Sequence, residues 1–579
     1  MSGHRTARED ALDPNRRIGS VCAVFPSRLH INLGDGAARS RTLLYGAPLG
    51  TGQVGEFVLI DCDQHIVLGR VNTVRLLERE RLAINPSLGE QTAVDPIGEI
   101  DLLATLNRVT GKLVPGVENH PRLGSLVYAP APRFISQLVA HHQEGDAPRV
   151  ALDLGAASGI PDARVKVTPE RMFGRHCAIL GATGGGKSFT IAKLVEETSK
   201  AKGKAILIDA TGEFYTLGSH AEHVSLGQPL HGESEVHLPF SALEEQDLYG
   251  LFQPSGKVQG PKLREAIYSL RIAHILNSTT DPSLKAIRDE LVSARMLRDG
   301  LIVKENGPRA PFESAMSALR HQIEAPNAEF DITLLATQVS NECCYATGRP
   351  AGYFGGHEDS GDAWCSPLVA RINAVRSGAE LRVFFDLTGD SLLDRIDRFL
   401  DGSASTLRIS LASVPYGFNA REIVANALGR RLLSLARQGR FKTKPLIVFL
   451  DEAHNFLNRY IGTDDAMVKL DAFDQIAKEG RKHWLTIALA TQRPRDLPEG
   501  VLSQMGTMVV HRLINHRDRE VVERASGDID RASVAFLPTL APGQAAMIGV
   551  DFPFPLTVSI DRPATPPDSA GPDYQTHWL

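Results

Sequence analysis

The chain has 579 residues, a net charge of −5, 42% hydrophobic and 23% charged residues, and six cysteines. This is ordinary globular composition, long enough for roughly three or four domains, and it excludes the dense disulfide framework of a small secreted protein. No run approaches the ~18 uninterrupted apolar residues of a membrane span, and the polar start MSGHRTAREDALDPNRR has no apolar signal segment, so a cytoplasmic protein away from the membrane is expected.

Residues 1–16 read as a flexible tail. From 17 to 150 the β-rich runs SVCAVF, LHINL, EFVLID, IVLGRV and SLVYA alternate with the turn-forming separators GDG, GTGQVG and PSLGEQ, which predicts a small N-terminal β-barrel. Periodicity leaves DLLATLNRV open between strand and short helix. After LDLGAASGIPDARVKV, residues 151–562 alternate strand and helix: HCAIL, SFTIAKLVEETSK and KAILIDA form a βαβ unit. A helical insertion is expected at about 240–335, from KLREAIYSLRIAHIL, PSLKAIRDELVSARML and ESAMSALRHQIEA. Strands resume at LRVFFDL and TLRISLA, where Leu407, Ile409 and Leu411 alternate toward one face. The next helix carries Val424, Leu428, Leu432 and Leu435 on one stripe, with Arg421, Arg430 and Arg437 largely off it. KPLIVFLDEAH reads as a central parallel strand and WLTIALATQ as its neighbour, and 563–579 as an extended C-terminal tail.

The segment GATGGGKS has the spacing G-x-x-x-x-G-K-[ST] between a strand and a helix, the context a phosphate cradle needs. Gly181, Gly184, Gly185 and Gly186 let successive N–H groups face phosphate oxygens at a helix N-terminus. Lys187 is the point charge for β- and γ-phosphates, and the Ser188 hydroxyl is a hard ligand for Mg²⁺. IVFLDEAH ends a buried strand in two carboxylates: Asp451 to hold Mg²⁺ through its water shell, Glu452 to orient and deprotonate the attacking water. The strand WLTIALA runs into Thr491 and Gln492, an amide placed to sense the γ-phosphate. The widely spaced Cys22, Cys62, Cys177, Cys343, Cys344 and Cys365 read as free thiols of a reducing compartment. A zinc site from Cys343, Cys344, Cys365 and His357 is the alternative, disfavoured because adjacent cysteines lack the usual two-residue spacer.

FGRHCAILGATGGGKS, IDATGEF, LVARINAV, LDEAHNFL, AKEGRKHWLTIALATQRP and LPTLAPGQAAMIG together resemble the HerA family of hexameric P-loop ATPases and DNA translocases, within the HerA/FtsK group. The resemblance implies an α/β fold: a RecA-like ATPase core with a helical insertion, preceded by a barrel like the family's HAS-barrel. It implies ATP and Mg²⁺ as cofactors, with Gly181, Thr183, Gly184, Gly185, Gly186, Lys187, Ser188 and Phe189 around the nucleotide. ATP would sit between subunits of a homohexamer, with Arg481 as the neighbour's finger (Arg512 the runner-up) and Arg175 serving its own subunit's site. The family's D-P-H-G-E-Y motif is here Asp209, Ala210, Thr211, Gly212, Glu213 and Phe214; without the histidine, only Asp209 and Glu213 carry over.

Double-stranded DNA is the expected track. Arg459 and Lys469, or Lys257, Lys262 and Arg264, are candidate phosphate contacts, each segment also readable as a solvated charged loop. The resemblance further implies a separate effector, a nuclease or a sirtuin-like NAD hydrolase, docking through the barrel in DNA end processing or phage defence. The competing reading is a nucleotide-controlled scaffold that activates an effector without processive movement on DNA; the net charge of −5 favours it, since it supplies no general basic field.

Overall fold

The computed structural model describes residues 12–37, 43–44, 47–48, 50–76, 95–141, 150–158, 163–326, 328–378, 382–385, 390–457, 459–461, 467–526, 531–549, 552, 554–569, 571 and 573–578. The separator PSLGEQ and residues 1–11 of the expected tail lie outside them. The chain divides into two compact units, Met1–Ala205 with Ile447–Phe449 and Thr486–Leu579, and Ile206–Leu446 with Leu450–Leu485.

Strands β1 (Arg17–Val24), β2 (Arg28–Asn32), β3 (Phe57–Cys62), β4 (His65–Arg75), β5 (Ile97–Asn107) and β6 (Leu126–Tyr128) open the first unit. They form a closed antiparallel barrel in the order β2-β1-β6-β3-β4-β5, with β5 returning to pair β2 and Ile100 opposite Leu29. The alternation along each strand explains the closure, because Ile18, Leu29, Ile31, Val58, Ile60, Val67, Val71 and Ile100 all point inward and are fully buried. Residues 101–107 of DLLATLNRV are strand, the end of β5, paired on one side with β4 and on the other with Arg28 of β2 at Asp101 and with Leu113–Pro115 at residues 104–106, while Arg108 and Val109 turn away. Before β1, Pro14–Arg16 form a 3₁₀ turn, and Arg16 is buried and donates to the Pro130 carbonyl at 3.4 Å.

Beyond the barrel the chain runs through β7 (Leu152–Ala157), β8 (Arg164–Val167), β9 (Cys177–Leu180), α1 (Lys187–Lys200), β10 (Lys204–Asp209), β11 (Ala221–Leu226) and β12 (Ser234–His237). Helices α2 (Gly256–Ser278), α3 (Pro282–Ser293), α4 (Arg309–Ile323), α5 (Leu335–Asn341) and α6 (Asp359–Ser377) follow. Then come β13 (Thr406–Ser410), α7 (Ala420–Arg437), β14 (Leu446–Leu450), α8 (Ala472–Glu479), β15 (Leu485–Thr491), β16 (Thr507–Val510), β17 (Gln544–Ile548) and β18 (Leu556–Ile560).

The first unit orders its strands β8-β7-β18-β17-β16-β9-β15. β9 is parallel to both β15 and β16, and β17, β18, β7 and β8 continue antiparallel from there. All four side chains of β9 are fully buried, as a parallel strand covered on both faces requires. The second unit orders β10-β13-β11-β12, with β13, β11 and β12 mutually parallel.

The helical region has an apolar interior of its own: Ile272, Ala273 and Leu276 of α2 pack with Leu291 of α3 and Ala315, Leu319 and Ile323 of α4. Each large side chain so buried contributes roughly 1.5–3 kcal/mol of transfer free energy. Three sequence expectations change. The helices do not stop near 335, since α5 and α6 carry on to Ser377. Within LRVFFDL, Arg382–Phe385 is a helical turn and not a strand, with Val383 and Phe384 buried; so short an apolar run has no period to separate the two. Arg421 is buried on α7, donating to the carbonyls of Val414, Ala210 and Ala412 at 2.6, 3.0 and 2.9 Å. An arginine that satisfies three backbone oxygens belongs to the interior, whatever its place on a helical wheel.

Candidate nucleotide-binding site

The phosphate loop belongs to the first unit. It leaves the carboxyl end of β9 at Gly181 and enters α1 at Lys187, so the loop sits at the positive end of that helix's dipole. Gly184 and Gly186 adopt φ of +74° and +115°, conformations that a side chain would strain. The turn is closed by the Gly185 N–H donating to the Ala182 carbonyl at 3.1 Å and by the Thr190 N–H donating to Gly186 at 2.9 Å. Lys187 is buried and folds back, donating to the Ala182 carbonyl at 3.3 Å. Ser188 is half-buried one residue on, and Phe189 lies beneath the Arg562 guanidinium at 5.9 Å. β15 places Gln492 beside the loop, where its Oε1 accepts from the Thr183 hydroxyl. Thr183, Lys187 and Gln492 are therefore brought together at this loop.

His511 was not anticipated. It follows β16, is fully buried, and sits behind the loop. Its Nδ1 meets the Gln544 carbonyl at 2.9 Å and its Nε2 the Thr190 hydroxyl at 2.8 Å. Burial, then the Lys187 ammonium, lowers its pKa from 6.5 to about 4 against the opposing hydrogen bonds. The unfolded chain takes up this proton at higher pH than the folded one, so the contribution is complete above about pH 6.5 and is lost as pH falls toward 4. It amounts to about 3 kcal/mol. Unfolding free energies of wild type and His511→Asn between pH 4.5 and 7.5 should therefore diverge in slope, the variant being flatter; parallel curves would refute the assignment.

The acidic pair belongs to the second unit. Asp451 follows β14, is buried, and donates its N–H to the Ile208 carbonyl at 3.1 Å. Burial, then the carboxylates of Asp209, Glu452 and Glu213, push Asp451 well above the ordinary carboxylate range. A buried carboxylate so placed is a hard oxygen of the kind Mg²⁺ takes one or two of while keeping several waters. Thr211, where the resembling motif has histidine, donates to Asp451 Oδ2 at 3.4 Å. Glu452 stands in the left-handed region at φ +48°, a strained position for a non-glycine residue, with His454 Nδ1 3.2 Å from its Oε2.

Behind this pair lies a second arginine the sequence did not reveal as structural. Arg408 of β13 is fully buried; it donates to Asp209 Oδ2 at 2.7 Å, to Glu233 Oε1 at 3.0 Å and to the Gly212 carbonyl at 3.1 Å. Asp209 in turn accepts from the Gly212 and Phe214 N–H groups at 2.7 and 3.0 Å, which wraps the loop bearing Glu213 around it. Only the apolar alternation of Leu407, Ile409 and Leu411 was legible, and alternation assigns the residue between them to an open face. Here all five positions of β13 are buried.

Arg481 is exposed on the 3₁₀ turn Gly480–His483 and forms no ion pair among the described residues. The turn ends in Trp484 at φ +62°, half-exposed. Arg512 donates to the Pro538 carbonyl at 3.1 Å, an engagement within its own chain. Arg175 precedes β9 whereas the phosphate loop follows it, so roughly 13 Å of strand lies between them. Of the candidate DNA contacts, Lys257 and Lys469 are at least partly accessible, while Lys262 is tied to Glu265 at 3.0 Å and Arg264 to Glu245 at 2.6 Å. The side chain of Arg459 lies outside what is described.

Among the described residues no group of three His, Cys, Asp or Glu side chains is arranged to hold a metal ion. The zinc alternative finds no such arrangement: the Cys343 thiol donates to the Val339 carbonyl at 3.4 Å, and Cys344 meets His357 through a backbone bridge. That does not conflict with Mg²⁺, which keeps several waters and takes one or two protein oxygens. Among the described residues no helix is long and apolar enough to cross a membrane.

Comparison with known proteins gives a consistent result. Residues 152–327 match the family described as the central domain of helicase HerA, and residues 431–533 the HerA-like C-terminal family. The chain is similar to the DNA double-strand break repair helicase HerA of Pyrococcus furiosus, 24% identical over 525 residues covering 87% of each chain. It is also 24% identical over 421 residues to the probable DNA double-strand break repair helicase HerA of Methanocaldococcus jannaschii, covering 71% of this chain and 76% of that one. Among solved structures, VirB4 of Thermoanaerobacter pseudethanolicus is 14% identical, covers 75% of this chain and 100% of its own, and superposes with a TM-score of 0.40.

Proposed function

This chain belongs to the HerA family, and on that premise we propose that it is an ATP-hydrolysing motor subunit that moves double-stranded DNA. The observation that carries the reading is the strand–glycine turn–helix of β9, Gly181–Gly186 and α1, with Lys187 folded over the loop and Gln492 beside it. In this reading Gly181, Thr183, Gly184, Gly185, Gly186 and Phe189 surround ATP, and Lys187 binds its β- and γ-phosphates. Ser188 and Asp451 hold Mg²⁺, which supplies charge neutralisation on the phosphates. Glu452 orients the attacking water and takes its proton, and Gln492 exchanges Thr183 for the γ-phosphate.

The subunit works as a homohexamer in which Arg481, exposed and without an ion pair among the described residues, serves a neighbour's nucleotide. A cation in that role is worth several orders of magnitude in rate. A separate effector, a nuclease or NAD hydrolase, docks on the barrel, whose Val109 and Leu123 are exposed apolar side chains, and the effector sets the pathway, DNA end processing or phage defence.

One observation favours a second reading, a nucleotide-controlled scaffold: two of the candidate DNA contacts, Lys262 and Arg264, are already engaged by carboxylates. Steady-state ATP turnover with and without duplex DNA separates the two. The motor predicts at least a severalfold stimulation by DNA, and no turnover in Lys187→Ala. A DNA-independent rate, with effector activity appearing on ring assembly, sinks the motor and supports the scaffold; an absence of turnover under every condition sinks both.

A further inference from the structure

We propose that His511 is a positioning residue of the nucleotide site, a strut that props the Gly181–Ser188 loop from behind and ties it to the start of β17. The inference rests on the reading of that loop as the phosphate cradle. Three independent features of the geometry lead to it.

First, both ring nitrogens are committed. A carbonyl only accepts, so Nδ1 carries the hydrogen that meets the Gln544 carbonyl at 2.9 Å. Nε2 is then the acceptor, and the Thr190 hydroxyl donates to it at 2.8 Å. Thr190 lies three residues after Lys187 on the first turn of α1, so the ring fixes the helix end that presents the lysine.

Second, the ring's place explains glycines that phosphate chemistry alone does not. A Cβ at Gly181 would stand 2.6 Å from the His511 Cβ, and one at Gly186 would stand 3.1 Å from its Cε1. The loop is thus shaped on its convex side by the imidazole as well as on its concave side by a ligand.

Third, the backbone on either side of the ring continues the support. The His511 N–H donates to Leu180 at 2.7 Å, the Ala182 N–H to Arg512 at 3.0 Å, and the Gly543 N–H to Gly185 at 3.3 Å. The Gln544 side chain donates to Ser158 Oγ at 2.8 Å, which anchors the far end of the strut at the exit of β7. A loop held in its binding shape before ATP arrives avoids the entropic cost of ordering it on binding. Loss of the strut should therefore weaken nucleotide affinity more than it slows the chemical step.

The test uses full-length protein, a fluorescent ATP analogue to measure Kd, and steady-state hydrolysis. His511→Asn keeps the Nδ1-like donor toward Gln544 and loses the Thr190 contact; His511→Gln extends an amide toward Thr190. Thr190→Val removes only the hydroxyl. His511→Asn and Thr190→Val should each raise Kd and KM about tenfold with kcat within about threefold, and the double variant should be no worse than either single. His511→Gln should recover most of the affinity.

Wild-type Kd in Thr190→Val, or additive losses in the double variant, would overturn the proposal. If His511→Asn fails to fold, Thr190→Val decides alone, because it preserves the packing. Lys187→Ala is the control for the underlying reading: unchanged analogue binding there shows that the loop is not the nucleotide site, whereas lost binding there with normal Thr190→Val binding refutes the strut alone.

Discussion

Glu452→Gln is expected to lower ATP turnover by roughly 10²–10⁴-fold while leaving nucleotide affinity within about threefold. The amide has the carboxylate's shape but cannot accept a proton from the attacking water. The residue sits at the end of β14 with its backbone at φ +48°, and its buried Oε2 accepts no hydrogen bond, although His454 Nδ1 lies 3.2 Å away, which leaves that oxygen open to a proton. A strained backbone at a strand tip persists only where surrounding structure enforces it, and here it presents a carboxylate beside buried Asp451. The measurement is phosphate release set against fluorescent-ATP binding on the same preparation. A loss smaller than about tenfold would assign the base elsewhere, whereas a parallel loss of binding would make Glu452 part of the phosphate or metal site instead.

The second large effect concerns stability. Arg408→Met should cost about 3–5 kcal/mol, because it strands Asp209 and Glu233 without their cation in an interior where neither meets water. Set against a total stability of about 5–15 kcal/mol, such a loss should lower the melting temperature by roughly ten degrees. Burial alone would raise the Glu233 pKa, but the backbone N–H groups and Arg408 outweigh it and take it down to about 2. The stabilisation this carboxylate lends is therefore whole above about pH 4.5 and drains as pH falls toward 2. Calorimetry of Arg408→Met alone and with Glu233→Gln checks the account. The second substitution should restore part of the loss, and a melting temperature within two degrees of wild type for the single variant would show that the network is not structural.

The nucleotide loop was legible in the sequence because phosphate chemistry dictates glycine, lysine and hydroxyl at fixed local offsets, and the local order of strand and helix confirmed the context. The barrel was legible because period-two runs between turn signals leave few alternatives, although only the pairing of β5 with β4 decides that residues 101–107 of DLLATLNRV are strand. His511 and Arg408 were not legible. Each owes its meaning to partners far along the chain, Thr190 at 321 positions and Asp209 at 199, and no local pattern records such distances. Arg421 was misassigned for a related reason: a helical wheel ranks side chains by polarity, but this arginine is interior because three carbonyls await it. The turn at Arg382–Phe385 was missed because four residues cannot display a period.

The barrel's closure constrains how a companion protein can be recruited. Because residues 97–101 of β5 pair back to β2, the six barrel strands close on one another, and the strand edge left open beside them is that of the three-residue strand Leu113–Pro115, which pairs with residues 104–106 of β5 and is too short to template much of an incoming peptide. A companion that docks there, as proposed above, would be held mainly by the side chains that face outward and by the connecting loops. Specificity for a companion can then drift through surface substitutions while the barrel's interior stays unchanged.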